Sequence, residues 1–255
     1  MVSATAASRL GRGLRTLTLT ETKLVGRAPA VLFWAIGFPV AGLIVLGLIP
    51  AANKPVAGLG GISVLQTYLP TIVIFSLVMT AVNFLPATLA GYRERGVLRR
   101  MSTTPVRPGT LLTAQILVNL AVQVAIVALV AILAVAAFGA TIGQPAGFII
   151  ASALTAAALS AVGLLVAAVC FTGKAANAVG AILFFVLMFF AGLWIPRAAM
   201  PAVLRDISSL TPAGAGGQAI LSAAAGSWAP WWYFAVLAGY IAVCGVLAAR
   251  LFRWE

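Results

Sequence analysis

The chain has 255 residues, 63% of them hydrophobic and only 8% charged, with a formal net charge of +12 and a mean hydropathy of +1.13. So little polar surface cannot coat a water-soluble globule, which excludes an ordinary soluble enzyme and points to an all-α integral membrane protein. With no histidine and only four acids, Glu21, Glu94, Asp206 and Glu255, triads, zinc sites and paired-carboxylate catalysis lack their parts, and no catalytic or metal residue is expected.

Residues 1–30 read as a cytoplasmic leader. Leu10, Leu14, Leu17 and Leu24 fall on one helical face and Arg9, Arg12, Arg15 and Lys23 on the other, the pattern of a helix lying in the membrane interface. Glu21 falls on the leucine side, which is unfavourable unless a cation meets it. A basic residue of the second loop is the natural candidate, with a frayed helix end as the alternative. The basic leader is too long for a signal peptide, so the first apolar run reads as an uncleaved span.

Residues 31–255 read as one membrane domain with six apolar runs, 31–50, 62–90, 111–138, 146–171, 178–195 and 231–251, each long enough to cross a bilayer. Thirteen of the sixteen basic residues fall on one side of an alternating six-span arrangement: the leader, Arg93, Arg95, Arg99, Arg100 and Arg107 in the second loop, Lys174, and Arg250 and Arg253 in the tail. Lys54, Arg197 and Arg205 take the other side. Excess positive charge marks the cytoplasm, which places both termini there. Pro86, near the cytoplasmic end of the second run, frees the carbonyl of Val82 and is expected to bend that helix.

The loop 91–110 packs Arg93, Glu94, Arg95, Arg99 and Arg100 into a chain that otherwise avoids charge. Val97, Leu98 and Met101 form an apolar ridge there, and Thr104 and Pro105 end it. A solvated positive anchor explains the arginines but explains Glu94 poorly. In the third run Gln115, Asn119 and Gln123 recur every four residues on one face, where interhelical hydrogen bonding is favoured over cargo contact. Thr80 and Asn83 in the second run are read with the same caution. In the fifth, Phe184, Phe185, Met188, Phe189 and Phe190 could face lipid, a second protomer or an apolar cargo. Cys170 and Cys244 have no partner at redox or metal spacing and read as packing residues. The connection 196–230 carries an amphipathic stretch, Ala202 to Leu210, and reads as a folded extracytoplasmic cap, with Trp228, Trp231, Trp232 and Tyr233 as interfacial anchors.

Glu94-Arg95-Gly96, then Leu98-Arg99-Arg100-Met101, then Thr103-Thr104-Pro105 before a new apolar run, resembles the coupling-helix signature of type 2 ATP-binding-cassette exporter permeases, including drug and antibiotic exporters. Gly192-Leu193-Trp194-Ile195-Pro196, Met200-Pro201 and Leu210-Thr211-Pro212 are similar to that family's segment after the fifth span, which re-enters the outer leaflet. The resemblance covers nearly the whole chain. It implies a permease of the bacterial plasma membrane, paired with a second permease copy or a related one and with two copies of a nucleotide-binding protein that carries ATP and magnesium. By that resemblance Tyr92, Arg93, Glu94, Arg95, Gly96, Leu98, Arg99, Arg100 and Met101 couple to the partner. Arg93, Glu94 and Arg95 would also link the loop to the leader near Glu21. Thr80, Asn83, Phe185, Met188 and Phe189 become candidates for the cargo pathway, because the second and fifth spans flank it in such dimers.

The chain lacks a phosphate-binding loop of its own, since Gly173-Lys174 is followed by Ala175 without the upstream glycine. The apolar runs offer no charged relay, which argues against an ion-coupled carrier and favours an apolar or amphiphilic cargo. An ATP-independent channel or carrier, and a membrane scaffold whose basic loop recruits a cytoplasmic protein, are the rival readings. Nucleic acid is not expected as a partner, because the basic residues lie between spans.

Overall fold

Six helices carry enough apolar length to cross a bilayer in the computed structural model, which describes residues 18–23, 26, 27, 29–54, 63–96 and 108–252. They are α1 (Pro29–Leu48), α2 (Val64–Glu94), α3 (Pro108–Phe138), α4 (Pro145–Val169), α5 (Gly173–Phe190) and α8 (Trp231–Leu251). Two shorter helices, α6 (Ala202–Leu210) and α7 (Pro212–Ala224), stand between α5 and α8. No strand occurs among the described residues, so the expected all-α membrane fold is the fold observed. α2 and α4 form the enclosed centre, while α1, α3, α5 and α8 keep most side chains facing outward.

Lipid tails are as apolar as leucine, so spans are held together by close backbone approach and hydrogen bonds. α1 and α2 each contain a widened π-helical turn, Phe33–Gly37 and Met79–Phe84, just ahead of Pro39 and Pro86. A proline cannot donate to the preceding turn, and the wider turn shifts the register ahead of it. The Leu85 N–H accordingly reaches back five residues to the Thr80 carbonyl. The irregularity expected at Pro86 takes this form. The backbone of Ala81 and Val82 then presses on glycines of neighbouring spans. A Cβ on Gly163 of α4 would overlap the Ala81 carbonyl oxygen, and one on Gly180 of α5 would stand 2.6 Å from that of Val82.

The polar row of α3 ties it to its neighbours. Asn119 Nδ2 donates to Ser160 Oγ of α4 at 3.2 Å, and the fully buried Gln123 donates through Nε2 to Thr80 Oγ1 of α2 at 3.1 Å. α7 is buried along most of its length against α2, α4 and α8. Thr211 caps its start by accepting from the Gly214 N–H at 3.1 Å, and Gly216 leaves room for Thr155 of α4. α7 is thus a short helix packed among longer ones, directly after the Leu210-Thr211-Pro212 motif. The amphipathic stretch from Ala202 to Leu210 is α6, residue for residue.

Two boundaries need correction. The fifth span runs over Gly173–Phe190, not 178–195. Thr172 starts it by accepting from the Ala175 N–H at 3.2 Å, which outweighs the polarity of Lys174 and Asn177, and Gly192, at φ 88°, ends it. The second helix continues past residue 90 to Glu94 and stops before Gly96, at φ 66°. Tyr92, Arg93 and Glu94 therefore belong to the last turn of a span, where contacts to three neighbours hold the helix beyond its apolar run.

Candidate functional site

The basic end of α2 sends its side chains in three directions. Tyr92 reaches the leader: its hydroxyl lies 3.0 and 2.9 Å from the two carboxylate oxygens of Glu21. Gln115 Nε2 of α3 donates to the same carboxylate at 2.8 Å, and Glu21 is only 5% exposed. Among the described residues the partners of Glu21 are thus a hydroxyl and an amide. Arg95 contributes indirectly, with its guanidinium 5.5 Å from the Tyr92 ring centroid. Burial pushes the Glu21 carboxyl above its ordinary pKa, and the Tyr92 hydroxyl pulls it back.

Arg93 turns to the end of α4, where its Nη1 donates to the carbonyls of Ala167 at 3.3 Å and Cys170 at 3.1 Å. These are orphan acceptors of a helix terminus, which a cation suits by charge and by hydrogen bonding. The guanidinium also lies 5.6 Å from the Phe171 ring and 4.7 Å from that of Phe252, beyond the end of α8. Glu94 turns to the start of α5, where Oε2 accepts from the Gly173 N–H at 3.0 Å. An anion at a helix N-terminus meets free donors and the positive end of the dipole. Among the described residues the link to the leader is made by Tyr92 and Gln115, with Arg95 behind them, while Arg93 and Glu94 reach α4 and α5. Gly96 closes the helix. Leu98, Arg99, Arg100 and Met101 lie outside the described residues, as do Arg9, Arg12, Arg15 and the leader leucines.

Between α1, α2 and α5 an aromatic recess of about 530 Å³ opens, lined by Trp34, Phe38, Phe75, Met79, Asn83, Ala181, Phe184, Phe185, Leu193 and Trp194. A volume of that order suits a small ligand. The rings form a continuous chain. Trp34 meets Phe38 at 5.5 Å between centroids, Phe38 meets Phe75 at 4.9 Å, Phe75 meets Phe184 at 5.4 Å, and Phe185 stacks on Trp194 at 6.0 Å.

Of the pathway candidates, Asn83 and Phe185 line this recess. Met188 is wholly buried, Thr80 sits in the polar row with Gln123, and Phe189 pairs with Phe190 at 5.3 Å, so these three do not line it. Trp34, Phe38, Phe75 and Trp194 were not singled out as pathway residues. Aromatics at helical spacing in three separate runs give no linear signal of converging. Among the described residues no cluster of three or more acidic or thiol side chains could hold a metal ion.

No curated protein matches the sequence. The family profile described as ABC-2 type transporter matches residues 12–224, from the leader to the end of α7, and the chain belongs to that family.

Proposed function

We propose that this chain is the membrane half of an ATP-driven exporter that moves an apolar or amphiphilic small molecule, drug-like, antibiotic or lipid-like, out of the cytoplasm or the inner leaflet. Membership of the family supports a multi-pass transport permease, and the family in general implies an ABC ATPase partner. In our reading two permease copies, or this chain and a related one, sit on two copies of a separate nucleotide-binding protein. That partner carries ATP and magnesium and docks on the basic segment after Gly96. The distribution of Lys and Arg favours cytoplasmic termini, and the family resemblance suggests the bacterial plasma membrane as the location.

The observation that carries this reading is the doubly bonded end of α2. Tyr92 holds the leader and α3 through Glu21, and Glu94 holds the start of α5. A push on the segment after Gly96 therefore moves the leader, α2 and α5 together. α2 and α5 are also two walls of the aromatic recess, so the same push alters the space open to cargo.

Gentle purification of the tagged protein from its native membrane, with every accompanying chain identified and counted, tests the assembly. A nucleotide-binding protein in equal copies is the expected result. Its reproducible absence from an intact, monodisperse permease would refute the assembly.

A further inference from the structure

At the end of α2 remote from Glu94, a second recess of about 320 Å³ opens between α2, the Ala191–Arg197 connection, α6 and α7. Its polar lining is Thr67, Tyr68, Thr71, Arg197, Arg205 and Gln218, with no acid among the lining residues. Arg197 is fixed from behind, because it donates through Nη1 to Ser208 Oγ at 3.0 Å and through Nη2 to Ser209 Oγ. Ser208, wholly buried, donates its own hydroxyl to the Phe190 carbonyl at 2.7 Å. Arg205 stands exposed at the mouth. Burial pushes the Arg197 pKa down and the neighbouring Arg205 adds to that, while Tyr233 and Asp206 act the other way. Asp206, on the exposed side of α6, lies outside the lining. Two guanidiniums that repel one another across a cavity rimmed by hydroxyl and amide groups form a setting that an oxyanion relieves.

This recess and the aromatic one are lined by successive stretches of the same two segments. Along α2 the positions Thr67, Thr71, Phe75, Met79 and Asn83 recur every four residues. The first two line the basic recess and the last three the aromatic recess. From Thr67 to Asn83 the helix rises about 24 Å, most of a bilayer's hydrocarbon thickness. The connection after α5 is shared likewise: Ala191 and Gly192 wall the basic recess, Leu193 and Trp194 the aromatic one.

We propose that the basic recess binds the anionic head group, a phosphate or carboxylate, of an amphiphile whose apolar tail lies in the aromatic recess. As a binding site it stands alone; as a station for cargo it rests on the export reading. Arg197 supplies a fixed planar fork, Arg205 a second charge at the opening, and the Thr67, Tyr68 and Thr71 hydroxyls neutral donors. A free oxyanion would leave the aromatic recess empty, and a neutral amphiphile would bring no counter-charge to the two guanidiniums in the recess.

The test is binding of dodecyl phosphate, by calorimetry, to the full chain in phosphatidylcholine nanodiscs, beside dodecanol and inorganic phosphate. Dodecyl phosphate is expected to bind about tenfold or more tightly than either, and Arg205→Gln to remove most of its advantage over dodecanol. Arg205 is exposed, so this variant is expected to fold, and an unchanged melting curve checks that it has. Phe185→Ala is expected to weaken dodecyl phosphate and dodecanol alike. Equal binding of dodecanol, equal binding of inorganic phosphate, or full binding by a folded Arg205→Gln protein would each overturn the site. Two further arms separate the sources. Competition by phosphatidylglycerol in the disc supports the site with a membrane lipid as its ligand, whereas ATP-driven flux of dodecyl phosphate by the complex supports it with a cargo. Preferential binding with no flux upholds the anion site and counts against the export reading alone.

Discussion

Glu94 and Gly173 lie 79 residues apart in the chain and meet at 3.0 Å, carboxylate oxygen to backbone N–H. The contact joins the last turn of one span to the first turn of another across the place where the basic segment begins. Replacing the carboxylate with a guanidinium puts a cation at a helix N-terminus and removes its acceptor, a local cost of about 0.3–1 kcal/mol at an exposed site. Glu94→Arg should therefore insert and assemble normally but lose ATP-dependent transport, whereas Glu94→Gln, which keeps an acceptor oxygen, should retain a substantial part of it. Membrane yield, assembly and flux measured on both variants check this.

The Glu21 carboxylate should make docking of the leader sensitive to pH. Its pKa is raised by burial, so its docking contribution is fully present below the ordinary carboxylate range and is lost as pH rises through the raised value. Tyr92→Phe removes a donor from a buried carboxylate, at a cost of about 1–3 kcal/mol, and should push the value higher still. A nitroxide at Leu19→Cys, an exposed leader position, should gain mobility as pH rises, and more so in Tyr92→Phe. Mobility that is flat with pH and alike in both proteins would show that Glu21 does not hold the leader.

Gly163 and Gly180 admit the widened turn of α2, and no side chain can replace them without moving backbone. Gly163→Ala and Gly180→Ala should each lower stability by about 1–3 kcal/mol, the usual cost of overpacking. Gly239→Ala and Gly245→Ala on α8, where a Cβ meets nothing within 4 Å, should be neutral or mildly stabilising. Thermal unfolding in one detergent compares the four directly.

Much of this framework was legible in the sequence, because apolar length and basic clusters are local signals. α3, α6 and α8 end where the apolar pattern changes. α5 was displaced because Lys174 and Asn177 look like loop residues, and only the Thr172 cap shows that the helix has already begun. The partners of Glu21 lie 71 and 94 residues further along the chain. A rule that pairs acids with bases points to the arginines, while among the described residues the fold supplies a phenol and an amide. The two recesses combine side chains from several separate elements, and no pattern within a single run announces them.

Phe185 is 58% exposed and Trp194 54%, so truncating either should cost the fold little. Phe185→Ala and Trp194→Ala should shift the apparent affinity for an apolar cargo several-fold, about the worth of a lost aromatic contact. Phe171→Ala, at the far end of the bundle, should leave it unchanged. Concentration-dependent flux of one fluorescent amphiphile through the three variants measures this.

The central claim is that a nucleotide-binding partner drives this permease through the end of α2. The most direct measurement is flux of a fluorescent amphiphile into proteoliposomes holding the permease and that partner, with ATP, without it, and with Glu94→Arg in place of the native chain. The account predicts flux only with ATP and its loss in a variant that still assembles. Equal flux without ATP, or full ATP-dependent flux through Glu94→Arg, would contradict it.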